Sequence, residues 1–361
     1  MFLYLAIALV LFVLAFARAV GCIDRRYEPE LALCLTLAAY VVSFLRWNTG
    51  TDWPNYISMF ENLRHLDDAS AQLWWGPAYS YAAVLVNSIG GSYTAFLALE
   101  ATILFAVKYH ILLKSCAAPL VAIFVLFCVN FYDIYFVRQH IATVFFWAFV
   151  YYYYNRRHLL AWSSALVAVA YHYSAAMPIA IVVLTANLEW KRIALVTACV
   201  ACATFLVLSR LSIGQIESLT TVGSYLGTNW IEVKYTGLST TLRAYLKMAF
   251  WFWVILAGYM WFSKRTEESE YADWSAFCLR SAAGIVLVAA VLVPISEVFA
   301  RIPEFAAPLF AVVLANYRFQ LRSVSVAGAA YLSIAALLFV ELVFLYRGFP
   351  ELYYPIRWAF S

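Results

Sequence analysis

Apolar stretches long enough to be helices recur from Met1 to Phe344, broken only by short polar segments. A run of about 20 apolar residues gives roughly 30 Å of helix, enough to cross the hydrocarbon core of a bilayer. The pattern predicts spans at Leu3–Ala17, Leu31–Leu45, Trp74–Ile89, Tyr93–Leu113, Leu120–Cys128 extended toward Phe136, and Val137–Tyr154. Further spans are predicted at Leu159–Val183, Ile193–Leu208, Leu242–Phe262, Trp274–Val293, Phe305–Val313 with its flanks, and Val324–Leu345. The expectation is an all-α, polytopic membrane protein of about 10 to 13 membrane helices, some re-entrant or broken, forming a single domain over residues 1–361.

Positive charge marks one side of the membrane. Arg18, Arg25 and Arg26, then Arg156–Arg157, Lys191–Arg192, Lys264–Arg265 and Arg318/Arg322, place their loops in the cytoplasm. The amphipathic segment 46–73, the loop 209–240, Ser296–Pro303 and the aromatic tail 346–361 then fall on the other side. Simple alternation does not close. An odd number of crossings must separate Trp47 from Arg156, yet four apolar segments lie between them, so one, with Trp74–Ile89 the candidate, is re-entrant or interfacial. Leu159–Leu188 carries positive charge at both ends; it is either a helix pair broken near His172–Ser174 and Pro178 or one long span beside a misleading basic cluster.

Composition removes the soluble alternatives. The chain is 65% hydrophobic and 12% charged, with a mean hydropathy of +0.81, where a soluble domain carries about a quarter charged residues. The formal charge of +4 is spread over loops, which suits anionic headgroups and not nucleic acid. Seven cysteines show no metal-ligand spacing and lie mostly in apolar runs. No aspartate cluster suggests a divalent ion, so no metal and no cofactor are expected. Met1–Ala17 lacks a basic leader and a cleavage site and reads as a retained first helix.

The remaining polar residues are expensive where they stand. Asn48 to Tyr56 follows Arg46 at the end of the second span; Pro54 opens a short amphipathic helix carrying Tyr56, Met59, Phe60 and Leu63, and Asp52 and Arg46 can frame a polar cleft or simply cap an interfacial loop. Arg138, Gln139 and His140 begin an apolar helix and point in three directions. Arg138 can grip a phosphate with its fork of donors, or snorkel to headgroups. His172, beside Tyr171 and Ser174, lies about 20 Å along a helix from Arg156–Arg157; a neutral imidazole there can take a proton from a sugar hydroxyl or only pack helices. Glu297 and Arg301 are one helical turn apart and can pair, or Arg301 can meet a phosphate. Tyr353, Tyr354 and Arg357 belong to a tail whose rings suit sugar faces or membrane anchoring. Together these groups suit a lipid-linked sugar or pyrophosphate. A transporter or flippase for an anionic solute is the competing class, although its usual inverted repeats are not evident.

Four stretches in order carry a resemblance. Arg46-Trp-Asn-Thr-Gly-Thr-Asp-Trp-Pro-Asn-Tyr56, Val137-Arg-Gln-His-Ile-Ala142, Tyr171-His-Tyr-Ser-Ala-Ala176 and a late arginine at Arg301 resemble the motifs of the EpsG-like membrane proteins of bacterial exopolysaccharide and O-antigen loci. The resemblance implies a metal-independent glycosyltransferase of the Wzy type in the bacterial inner membrane, with a GT-C-like architecture and an active site facing the periplasm. It would polymerise oligosaccharide repeat units from an undecaprenyl-pyrophosphate-linked donor to a lipid-linked acceptor. A chain-length regulator and a flippase of the same pathway are the implied partners. It also implies catalytic roles for His172 as acceptor base and for Asp52, Arg138 and Arg301. Substrate binding falls to Arg46, Tyr56, Gln139, His140, Tyr171, Ser174, Glu297, Tyr353, Tyr354 and Arg357. His140 departs from the small or apolar residue the family carries after Arg-Gln.

Overall fold

The computed structural model describes residues 2–46, 53–71, 76–185, 188, 271–292, 297–316 and, near the end, 335–336, 338–340 and 342–343. Every regular element among them is helical. In chain order these are α1 (Phe2–Ala19), α2 (Glu28–Leu45), α3 (Trp53–Asn62), α4 (Leu66–Ala71), α5 (Pro77–Ser88), α6 (Tyr93–Ser115), α7 (Pro119–Asn130) and α8 (Arg138–Tyr154). They continue with α9 (His158–Tyr171), α10 (Ala176–Thr185), α11 (Ala272–Leu292), a 3₁₀ segment Glu297–Ala306, and α12 (Ala307–Asn316). Three helical stretches, Arg25–Leu45, Tyr93–Ser115 and Ala272–Leu292, are long and apolar enough to cross a membrane. With the shorter apolar helices beside them they make a multi-pass membrane protein. The expected spans Ile193–Leu208 and Leu242–Phe262, the 209–240 loop and the 346–361 tail lie outside the described residues, and Val324–Leu345 is described only in part.

One face of the bundle is knitted by side chains that satisfy helix ends. The Glu28 carboxylate accepts from Arg18 Nε at 2.5 Å and from the Leu120 amide at 3.1 Å, joining α1, α2 and the start of α7. Leu120 lies in the first turn of α7, where an amide has no partner within its own helix. The last carbonyl of α6, on Ser115, accepts from Trp274 Nε1 at 2.9 Å and Asn316 Nδ2 at 2.8 Å, which ties α6 to α11 and α12. Tyr151 and Tyr154 of α8 lay their rings against Trp274, so the aromatic end of α8 closes the same layer beside Arg157.

On the opposite face, α3 lies with Trp53, Tyr56, Met59 and Phe60 buried against α5 and α6, as its amphipathic pattern predicts. Asp68 accepts the amides of His65 at 2.8 Å and Arg64 at 3.1 Å, and these two N–H groups hold its carboxyl below the ordinary carboxylate range while starting α4. The 12 residues of α5 rise only about 18 Å, well short of a bilayer. Its end is held beside α3, where Asn87 donates to the Phe60 and Leu63 carbonyls at 2.6 and 2.7 Å. Its start reaches the end of α9: a Cβ on Gly76 would lie 2.5 Å from the Tyr171 carbonyl oxygen, and Gly76 has φ +94°. Helix α5 is thus too short by itself to cross the hydrocarbon core.

The expected extension of the span Leu120–Cys128 toward Phe136 is corrected. Helix α7 stops at Asn130, and Phe131, Tyr132 and Asp133 take φ of +54°, +55° and +63°. Each non-glycine residue there costs about 1–2 kcal/mol, so the turn must be held from outside. Lys108 of α6 does so: its ammonium pairs with the Asp133 carboxylate, donates to the Tyr132 carbonyl at 3.1 Å and sits 4.2 Å from the Tyr132 ring centroid. Asn130 Nδ2 holds the other Asp133 oxygen at 2.5 Å. Both ions are almost fully buried, at 1% and 5% side-chain exposure. Lys108→Met should therefore destabilise the detergent-solubilised protein by about 3–5 kcal/mol, and Asp133→Asn added to it should recover most of the loss. Thermal unfolding of the single and double variants reads both.

Candidate functional site

The strained turn delivers the chain to α8, and Arg46 fixes the delivery. Its Nη1 and Nη2 donate to the Ile134 and Phe136 carbonyls, both at 2.6 Å, and its guanidinium lies 4.9 Å from the Phe136 ring centroid. Arg46 is 4% exposed, and its Nε has no hydrogen-bond partner. A guanidinium fork suits two diverging carbonyls as a single ammonium does not. Asn48 to Asp52 lie outside the described residues, so the expected pairing of Asp52 with Arg46 does too.

At the start of α8, the three polar residues part in three directions. His140 turns back and its Nδ1 accepts the Val137 amide at 3.1 Å, capping the helix; its Nε2 lies 3.7 Å from Asp133. Its ring thereby joins the Lys108–Asp133 pair. Gln139 is buried and bridges to the 3₁₀ segment, donating to Glu304 at 2.9 Å and to the Arg301 carbonyl at 3.3 Å. Arg138 is half-buried and faces Tyr79 of α5 and the His172–Tyr173 turn.

Of the two readings of Leu159–Leu188, the structure has the helix break near His172–Ser174. Helix α9 ends at Tyr171, His172 takes an extended φ of −153°, and a 3₁₀ turn Tyr173–Ala175 leads into α10. The Ser174 amide donates to His172 Nδ1 at 3.3 Å, and the Ser174 hydroxyl lies 2.6 Å from the same atom. A backbone N–H can only donate, so Nδ1 is the acceptor and the imidazole is neutral with its proton on Nε2. The ring is therefore poised as a donor. Acting as a base at Nε2 would require both Ser174 contacts to be given up.

Arg138 and Arg301 act on the His172 ring together with His140. The start of α8, the α9–α10 break and the 3₁₀ segment pack against one another, which brings both arginines within electrostatic reach of the imidazole. Helix lengths put Arg138 and His172 at a similar depth. Arg138 starts a helix of 17 residues and His172 ends one of 14, about 25 Å and 21 Å from the Arg157 face, in the third of the bilayer nearest Arg46. Beside the break, α9 and α10 diverge into a groove of about 620 Å³ lined by apolar side chains including Trp162, Leu166, Val169, Ile179, Val183 and Leu184.

Tyr56 packs its ring on Tyr79 at 5.6 Å between centroids. Tyr171 is buried, stacked on Phe145, with its hydroxyl 3.5 Å from Glu100. Glu297 belongs to the 3₁₀ segment, but its side chain lies outside the described residues, as do Tyr353, Tyr354 and Arg357. Sequence reasoning missed Glu100, Lys108, Asp133 and Glu304. The first two were detectable as ionisable residues inside the predicted span Tyr93–Leu113. Among the described residues no group of histidine, cysteine and acidic side chains is arranged to hold a metal ion.

A sequence model described as the EpsG family matches residues 31–356. No curated protein matches the chain, and no solved structure does.

Arg46→Lys keeps the charge but can hold only one of the two carbonyls well. At about 1.5–3 kcal/mol for a hydrogen bond to a charged group, this variant should unfold at a clearly lower temperature than wild type in detergent. An unchanged transition would remove its part in holding the approach to α8.

Proposed function

The chain belongs to the EpsG family, and from that premise we propose that it is a glycosyltransferase that polymerises oligosaccharide repeat units carried on undecaprenyl pyrophosphate. The observation that carries the reading is a neutral, donor-oriented His172 at a helix break, with Arg138 and Arg301 within electrostatic reach of its ring. A lipid pyrophosphate leaving group needs this set: two guanidinium groups to take up growing negative charge, and an N–H to donate to the departing oxygen. The apolar groove between α9 and α10 suits the hydrocarbon tail, because it runs beside the break and is lined by side chains without charge.

In this mechanism the donor pyrophosphate sits against Arg138 and Arg301, and the His172 Nε2 proton faces the bridging oxygen. The acceptor sugar hydroxyl attacks the anomeric carbon as the bond to pyrophosphate breaks. Arg46 holds the turn that aims Arg138. Gln139 and Glu304 hold the Arg301 segment against α8. His172 is thus a donor to the leaving group in place of the acceptor base that the family resemblance implies. Asp52 is retained as an orienter near Arg46, with Tyr353, Tyr354 and Arg357 as sugar contacts. In this reading the site faces the periplasm of the inner membrane, which the positive-inside pattern supports, within a GT-C-like arrangement. A flippase of the same pathway supplies the substrate, and a chain-length regulator acts on the product.

Alanine at Arg138, Arg301 or His172 should each cost about 3 kcal/mol in the transition state, roughly a hundredfold in rate. Cells carrying these variants at normal protein level should accumulate single repeat units on the lipid carrier. Long chains made at normal speed by the His172 variant would end its role. Movement of a solute across vesicles with all glycosidic linkages unchanged would replace the polymerase with a transporter.

A further inference from the structure

Glu100 is the lone acidic residue of α6 and is 0% exposed. It stands two helical turns past Tyr93, about 10 Å in from the Arg46 face, at the depth of the His172 break. Its Oε1 accepts from the Tyr171 hydroxyl at 3.5 Å, while its Oε2 is buried with no hydrogen-bond partner. A carboxyl group so placed is costly and does nothing for packing that Leu or Met would not do better. It is also connected to the site. Tyr171 precedes His172, and Glu100 and Arg138 both act electrostatically on Tyr79 of α5. Arg46, from the end of α2, acts on Tyr79 as well. Farther along α6, Lys108 and Asp133 of the turn after α7 satisfy each other.

Among the described residues His172 cannot serve the proposed reaction as proton acceptor, because its Nδ1 is taken by Ser174 and its Nε2 already carries a proton. We propose that Glu100 is the final proton acceptor of the glycosyl transfer, with the Tyr171 hydroxyl as the relay between it and the acceptor sugar. The inference rests on the polymerase reading. As the acceptor oxygen bonds to the anomeric carbon, the bond from that carbon to the pyrophosphate oxygen breaks and its electron pair stays on the pyrophosphate. The hydroxyl proton passes to the Tyr171 oxygen while the Tyr171 proton passes to the Glu100 carboxylate. The resulting carboxylic acid is reset when the proton returns through Tyr171 to the departing pyrophosphate or to water. Glu100 never touches substrate, so it is a relay residue acting through Tyr171.

The test uses the full chain in liposomes with a lipid-linked repeat unit as donor and acceptor. A proton acceptor works only when ionised, so the wild-type rate should rise with pH through the Glu100 titration. Glu100→Gln and Tyr171→Phe should each lower kcat by about a hundredfold, leave KM unchanged and flatten that rise, and Glu100→Asp should restore part of the rate. Tyr171→Phe keeps the stacked ring and removes only the relay oxygen, so it decides the matter where Glu100→Gln fails to fold. Infrared spectroscopy gives a readout apart from turnover: a buried carboxylic-acid band should grow on acidification in wild type and be missing in Glu100→Gln. A polymerising wild type beside Glu100→Gln and Tyr171→Phe with unchanged kcat and pH profile overturns the relay alone. A wild type that forms no glycosidic bond overturns the polymerase reading and the relay with it, even where the infrared band titrates.

Discussion

The arrangement of this protein depends on one ion pair buried between helices. Lys108 and Asp133 meet where neither could stand alone, and the pair holds three consecutive residues in a left-handed turn that none of them favours. Removing either charge would leave the other stranded in hydrocarbon, so the two helices and the turn form or fail together. That turn ends α7 well within the membrane and lets α8 begin at depth with an arginine. Without it, the apolar run from Leu120 could continue as helix and would carry Arg138 elsewhere.

The rest follows as a series of supports. Arg46 takes the two carbonyls just beyond the turn, His140 caps α8 while leaning on Asp133, and Gln139 reaches across to the segment carrying Arg301. Each of these side chains has a polar partner supplied by protein, as an apolar surrounding demands. Much of the ionic chemistry is thus spent on holding backbone in place, while Arg138 and Arg301 lie within electrostatic reach of His172.

The multi-pass, all-helical character was readable from hydropathy alone because a bilayer permits few backbone solutions. Charge on both flanks of Leu159–Leu188 left a break near His172 as one of two readings, and the structure has the break. The stop after Asn130 was not readable: Phe131-Tyr-Asp133 contains no glycine or proline, and the reason for the turn lies on another helix, at Lys108. Similarly, the expected role of His172 as a base came from motif and residue type, whereas its tautomer depends on a local fold in which the Ser174 amide points back at the ring. Glu100 and Lys108 were visible as isolated charges in an apolar run. Their partners, Tyr171 and Asp133, are far off in sequence, so only the fold could give them meaning.

The contact between Gly76 and the Tyr171 carbonyl bears on how the wall beside the break is built. The two backbones approach too closely for a single methyl group to fit between them. Any side chain at position 76 would have to wedge α5 away from the end of α9, right beside His172, so the absence of a Cβ there sets how tightly the short helix can seat.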